Sequence, residues 1–154
     1  MGLWQIYFNL QGREGEGIVS RDEYTGLAEQ LSKDLLELRD PTSHTRIVRA
    51  VYKRDDVYSG PFLGNAADLQ VGLEDGYRVS WQTTLGGSPP GIVYPNMKKW
   101  SGDHAAYDYQ TIAGVLVSSR KIEGGAPRMI DVAPTVLKYF GVAIPNDIDG
   151  KPLF

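Results

Sequence analysis

The chain has 154 residues and a formal net charge of −3, and its length suits a single domain spanning 1–154. The acidic balance argues against a nucleic-acid partner or an anionic membrane held by bulk charge, since both require a basic face. Cysteine is absent, which excludes disulfides, thiolate zinc sites and cysteine nucleophiles. No apolar run approaches the roughly 20 residues of a membrane helix, and no signal peptide is visible, so the cytoplasm is the default expectation.

The N-terminal part of the chain predicts a strand, a loop and a long helix. Gln5–Leu10 is rich in aromatic and branched residues and predicts the strand. The glycines of Gly12–Gly17 predict a loop, which lacks the Gly-Lys-Ser/Thr ending of a phosphate-binding loop. Ser20 and Glu23 have the spacing of a capping box, and an apolar stripe at three- and four-residue intervals follows them. The stripe predicts an amphipathic helix of about five turns.

The middle of the chain predicts three further strands and an irregular excursion. Ile47–Lys53 alternates well enough to form one strand. Asp68–Leu73 and Tyr77–Gln82 lie on either side of an Asp-Gly step, which is a strong signal for a hairpin. The paired glycines and prolines of Leu85–Pro95 predict a loop, either a mobile flap or a rigid surface excursion.

The C-terminal part predicts a buried strand followed by a helix. Ala113–Ser118 is a continuous apolar run whose length suits a strand of the kind found in parallel sheets. Asp131 is placed to cap a helix running to Phe140, and Gly141 is placed to follow its end. The helix residues expected to pack on that strand's sheet are Val132, Val136, Leu137 and Phe140. Together the elements predict an α/β fold, in which helices flank a mixed sheet in three layers.

The two histidines of the chain occupy different settings. His44 lies in a polar loop and is expected to be exposed. His104 ends the turn-like segment Trp100–His104, where it is either a metal ligand or a turn histidine bonded to nearby backbone. The residue pattern alone favours the turn, because a closed zinc site needs several ligands. Asp103 either supports the metal site without binding the metal itself or is a surface turn residue. The pattern again favours the surface turn residue.

Several stretches resemble a known enzyme family. Residues 127–142, PRMIDVAPTVLKYFGV, and residues 148–153, IDGKPL, resemble the C-terminal signature of the alkaline phosphatase superfamily. The likeness is greatest to its type I phosphodiesterase/nucleotide pyrophosphatase branch. Residues 101–104, SGDH, resemble the segment that carries this branch's last metal-binding histidine. Residues 67–72 and 77–81 are similar to bacterial members described as predicted phosphohydrolases or phosphomutases, so the resemblance covers most of the chain.

The resemblance implies an alkaline-phosphatase-like three-layer fold and a hydrolase that acts on a phosphate-ester small molecule. Such enzymes hold two divalent metals, usually zinc, which activate a Thr or Ser nucleophile and stabilise charge on the transferring phosphorus. Of the family's metal ligands only the last histidine has a counterpart here, His104, and the nucleophile has none. Asp103 is the candidate for supporting that histidine. Asp108 is similar to an Asp that follows the family's histidine, where a structural role is expected.

These implications lead to two alternatives for the function. In the first, the chain is the C-terminal portion of a metal-dependent phosphoric ester hydrolase and is inactive by itself, with no tightly bound metal. Such a portion is expected to self-associate through an unpaired sheet edge. In the second, the chain is a non-catalytic α/β interaction or regulatory domain that retains the scaffold. A nucleophile and an Asp-His pair upstream in the coding sequence would separate the two.

Overall fold

The computed structural model describes residues 4–80, 82, 85–87, 91–97, 99, 108–123 and 125–154. The chain divides into two compact units, 1–113 and 114–154. The expectation of a single domain stays a prediction. Within the described residues no helix is both long and apolar enough to cross a bilayer, in agreement with the sequence.

The first unit is built on a three-stranded antiparallel sheet. Its strands are β1, Gln5–Ile6; β2, Val48–Lys53; and β3, Leu69–Leu73, which lie in the order β1-β3-β2. The helices are α1, Arg21–Glu37, and the one-turn α2, Arg54–Val57, with a turn of 3₁₀ helix at Leu63–Asn65. Helix and sheet together confirm the α/β character, but these three strands pair only antiparallel, and the mixed sheet was therefore not observed among them.

Helix α1 begins as the sequence predicts. The Glu23 amide donates to Ser20 Oγ at 3.3 Å, and the Ser20 amide donates to Glu23 Oε2 at 2.9 Å, which completes the capping box. The helix lays its apolar stripe on one face of the sheet. Leu69, Val71 and Leu73 share that face because alternate strand residues point the same way. The side chains that pack on them from α1 are Tyr24, Ala28, Leu31 and Leu35.

The predicted hairpin between β3 and residues 77–82 is wrong. Residues 74–77 form a turn, in which the Tyr77 amide donates to the Glu74 carbonyl, but residues 77–80 have no strand pairing. The reason lies in the sheet order. Strand β3 is central: it pairs with β2 along its length and with β1 at Leu69 and Gln70, so neither side of β3 is free over the length of a returning strand.

The second unit has no β-strand among its described residues. A turn of 3₁₀ helix, Met129–Asp131, leads directly into α3, Val132–Tyr139. Gly141 follows α3 with a positive φ of 70°, and the Val142 amide donates to the Leu137 carbonyl. This Schellman arrangement confirms the predicted helix end, where the left-handed conformation favours glycine.

Two packing expectations for this part of the chain are wrong. Residues 113–118 are exposed and form no strand, because no described strand lies beside them to complete their hydrogen bonds. Val132, Val136 and Phe140 of α3 are also exposed, and Leu137 is only half-buried. The buried side of α3 instead carries Pro134 and Thr135, where the C-terminal tail is attached.

Leu69 provides a test of the core of the first unit. Its side chain is fully buried between β3 and α1, so Leu69→Ala should lower the free energy of unfolding by about 2–5 kcal/mol. Leu85→Ala is the matched control, because Leu85 is 86% exposed and its loss should change stability by less than about 0.5 kcal/mol. Urea unfolding of both variants measures the difference. Equal midpoints would show that Leu69 is not in the core.

Candidate functional site

The two residues predicted to serve a metal site, His104 and Asp103, lie outside the described residues. Their geometry therefore stays a prediction. His44 is described, and it is exposed in the loop that follows α1, as expected. Its φ of 59° places it in the left-handed region, which is uncommon for a residue other than glycine.

Asp108 is the first described residue after the segment that carries His104, and it is firmly anchored. Its side chain is 1% exposed and lies on the face of the sheet opposite α1. Tyr52 Oη donates to both carboxylate oxygens, at 3.0 and 2.8 Å, and the Gln110 amide donates to Oδ1 at 2.8 Å. The pKa of Tyr52 is raised above its usual value, mainly by burial and secondly by this hydrogen bond to Asp108. The hydroxyl therefore keeps the proton that it donates.

Gly72 makes room for this carboxylate in the middle of β3. A Cβ atom on Gly72 would collide with Oδ2 and Cγ of Asp108. The backbone of β3 can therefore approach the Asp108 side chain only because residue 72 has no side chain of its own. The structural role expected for Asp108 agrees with this placement, since its oxygens are occupied by Tyr52 and backbone rather than directed to solvent.

A second buried carboxylate belongs to Asp68, the residue immediately before β3. Asp68 is fully buried and receives a bidentate contact from Arg13, with Nη1 2.9 Å from Oδ1 and Nη2 2.7 Å from Oδ2. The Phe8 amide donates to Oδ2 at 2.7 Å, and Arg54 Nη1 lies 3.6 Å from Oδ1. Burial opposes ionisation, but the hydrogen bonds from Arg13 and Phe8 outweigh it and hold the pKa of Asp68 below its ordinary value.

The two arginines at Asp68 also line a cavity of about 510 Å³, which we call the arginine cavity. A third arginine, Arg21, lines it from the first residue of α1. The remaining lining residues are uncharged: Leu10, Gln11, Gly12, Tyr24, Gly64 and Asn65. Among the described residues the cavity is thus lined by three arginines and by no acidic residue, although the chain as a whole is acidic.

In the second unit a third buried carboxylate holds the C-terminal tail. Asp131 accepts hydrogen bonds from the Arg128 amide at 2.8 Å and from the Lys151 amide at 2.9 Å. Those bonds hold the pKa of Asp131 below its usual range. Thr135 Oγ1 accepts from the Leu153 amide at 3.0 Å. The predicted N-cap of α3 is therefore wrong in detail, because the Asp131 carboxylate bonds the preceding turn and the tail, not the first turn of α3.

The described residues do not supply a metal centre by themselves. Among them no three His, Asp or Glu side chains come close enough together to hold a metal ion. Asp68, Asp108 and Asp131 are each saturated by amide, hydroxyl or guanidinium donors.

The chain matches no family model, no curated protein and no solved structure.

Sequence reasoning missed the arginine cavity. Arg13 lies in a glycine-rich loop, Arg54 follows a strand, and the two are brought together only by Asp68, which is 55 residues from Arg13. The one local signal was an acid immediately before the apolar run of β3, at the point where the strand enters the core. A carboxylate in that position is rarely buried unless a cation accompanies it.

Asp68→Asn tests the buried ion pair. Two guanidinium groups would lose their shared carboxylate, so the variant should be about 3–5 kcal/mol less stable than the wild type at pH 7. Because folding lowers the pKa of Asp68, its contribution is complete above the ordinary value of 3.8 and is lost as the pH falls through the folded-state value.

The difference in stability between wild type and Asp68→Asn should therefore shrink below about pH 4. Denaturant unfolding between neutral and acidic pH measures it. Asp56→Asn is the control, since Asp56 is exposed on α2 and its substitution should change stability by less than about 0.5 kcal/mol. A difference for Asp68→Asn that is small and constant with pH would show that this pair does not stabilise the fold.

Proposed function

We propose that this chain is the C-terminal portion of a metal-dependent phosphoric ester hydrolase of the alkaline phosphatase superfamily, in the type I phosphodiesterase/nucleotide pyrophosphatase branch. Its contribution to the active site would be one metal ligand, His104, in the segment SGDH. The substrate class would be phosphate-ester small molecules, and the metals would be two divalent ions, most simply zinc. The alkaline-phosphatase-like three-layer sheet belongs to the same proposal.

The observation that carries the proposal is the anchor at Asp108. The segment with His104 is followed, four residues later, by a buried carboxylate fixed to β2 through Tyr52 and seated on β3 at Gly72. A metal-binding histidine needs such a rigid attachment, because metal affinity falls when a ligand is free to move away from its position. The structural role of Asp108 is also the one that the family resemblance implies.

The attachment of the C-terminal tail supports the proposed scaffold. The two C-terminal stretches that resemble the family, 127–142 and 148–153, are joined by the bonds from Lys151 to Asp131 and from Leu153 to Thr135. These bonds give a physical reason for the residue types in both stretches, since the acid and the hydroxyl are the buried acceptors of the tail's amides. In this proposal Asp131 has a structural role and is not a metal ligand.

The exposed apolar residues of the second unit are consistent with a larger protein. Val115, Val117 and Phe140 are between 71% and 89% exposed. A strand-like run of this kind is stable in a folded protein when a neighbouring strand completes its hydrogen bonds and covers its side chains. In the proposed enzyme the run 113–118 would join a larger sheet. In the alternative, a non-catalytic interaction domain, the same residues would bind a partner protein.

The role of His104 can be tested in the longer enzyme that the proposal implies. Removing one imidazole from a metal site with few ligands should weaken metal binding by more than about 10-fold. His104→Ala should therefore lose metal, measured by elemental analysis, and lose turnover of a nitrophenyl phosphodiester.

His44→Ala is the matched control, because it removes the only other histidine, which is exposed in a loop. It should retain both metal and activity. Wild-type metal content and turnover in His104→Ala would refute the assignment and favour the non-catalytic alternative.

The isolated chain should show no phosphodiesterase activity of its own. The family's reaction requires an activated nucleophile and two clustered metals, and each metal requires several ligands. The purified chain, supplied with excess zinc or manganese, should leave a nitrophenyl phosphodiester unhydrolysed above background. Metal-dependent turnover that disappears in His104→Ala would contradict this prediction, because the nucleophile and the missing ligands would then lie within these residues.

A further inference from the structure

We propose that the arginine cavity binds a small multivalent oxyanion, such as a compact phosphate ester or a di- or tricarboxylate. The cavity volume of about 510 Å³ lies in the range that accommodates small molecules in proteins. Guanidinium groups suit this class of ligand because their planar pairs of N–H donors match the spacing of carboxylate and phosphate oxygens. The proposal concerns the first unit and does not depend on the metal chemistry proposed above.

The charge buried at the cavity wall is unbalanced in favour of an anion. The side chains of Arg13 and Arg54 are only 18% and 17% exposed, and they share one buried carboxylate, Asp68. Each has a second acidic neighbour, Glu14 or Asp55, but these carboxylates are 41% and 65% exposed and do not line the cavity. Water screens exposed pairs of this kind, so they neutralise the buried guanidinium groups weakly.

Hydrogen-bond donors remain unused at the cavity. Arg54 donates through Nε to Asp55, while its Nη1 atom is 3.6 Å from Asp68, which is too long for a hydrogen bond. Within the described part of the chain, neither Nη atom of Arg54 forms a hydrogen bond and Arg21 forms none with its side chain. The Asn65 side chain also has no hydrogen-bond partner there. An oxyanion in the cavity would accept bonds from all three residues.

Two of the three arginines, Arg13 and Arg54, are held in place before any ligand arrives. Arg13 is fixed by Asp68 and by the Phe8 carbonyl, to which its Nη2 donates at 2.6 Å. The Arg54 guanidinium lies over the Tyr24 ring at 5.5 Å from its centre. A ligand that meets prearranged cations avoids much of the entropy cost of ordering long side chains.

The position of Arg21 is unfavourable for the helix alone, which argues for a role in binding. It is the first residue of α1, where the partial positive charge of the helix dipole repels a cation and favours acids. Asp22 and Glu23, which follow it in the first turn, obey that preference. A residue that breaks a local rule without a structural compensation is expected at a functional site.

The test uses the purified 154-residue chain at constant ionic strength, with a chelator present so that metal phosphates play no part. Calorimetric titrations with inorganic phosphate, pyrophosphate and citrate report binding, and sodium nitrate serves as the monovalent control anion. We expect at least one multivalent probe to bind with a dissociation constant below roughly 1 mM, and nitrate to bind more weakly. Preference for pyrophosphate identifies a phosphate ligand, and preference for citrate identifies a carboxylate ligand; each outcome supports the shared chemistry.

Two pairs of variants locate the site. Arg21→Gln should weaken the best probe by about 10-fold, the loss of one charge-assisted contact, without lowering the melting temperature. Lys33→Gln removes the same charge from the exposed face of α1 and should bind like the wild type. Asn65→Asp puts an acid in the cavity and should abolish binding of the probe. Asn146→Asp adds the same charge at an exposed position of the second unit and should bind the probe like the wild type.

Two results would overturn the proposal. The first is no binding of any probe up to roughly 10 mM, where the expected affinity would be saturated. The second is equal weakening by Arg21→Gln and Lys33→Gln, which would show attraction to general surface charge. Neither result bears on His104, whose metal readout is separate, so failure of this proposal is distinguishable from failure of the proposed hydrolase.

Discussion

Three other segments of the first unit are bonded to one buried residue, Asp68, which lies immediately before β3. The carboxylate of Asp68 accepts hydrogen bonds from Arg13 in the glycine-rich loop and from the Phe8 amide in the chain after β1. The main-chain carbonyl of Asp68 accepts a hydrogen bond from the Arg54 amide at the start of α2. A buried carboxylate is costly unless it is fully bonded, so each of these segments must be in place for the others to be stable. The ion pair thus fixes the register of loop, strand and helix, and the arginine cavity is a consequence of it.

Strand β3 separates two environments with different chemistry. The face that carries Leu69, Val71 and Leu73 is covered by α1 and is stabilised by apolar burial. On the opposite face Gly72 has no side chain, and the Asp108 carboxylate lies against the backbone there. The Tyr52 hydroxyl donates a hydrogen bond to this carboxylate. One short central strand therefore supports both the core of the unit and the anchor of the segment proposed to bind metal.

The second unit differs from the first, because buried hydrogen bonds attach its C-terminal tail to α3 and to the turn before it. Asp131 and Thr135 bind the amides of the C-terminal tail, whereas most large apolar side chains of α3 and of residues 113–118 face solvent. Polar bonds of this type determine a precise geometry, but they contribute less free energy than burial of a comparable apolar surface. The exposed apolar side chains are those that the proposed larger sheet would cover.

The sequence by itself determined the features that depend on neighbours three or four residues away. The capping box of α1, its apolar stripe, the Schellman end of α3 and the strands β2 and β3 could all be predicted, because local hydrogen bonding and periodicity dictate them. The hairpin after β3 and the burial of residues 113–118 could not be predicted, because each depends on which strand occupies an edge. The pairing of Arg13 with Asp68 and of Tyr52 with Asp108 joins residues more than fifty positions apart. Only the tertiary structure decided those contacts, since nothing in a local pattern states which buried charge will meet which donor.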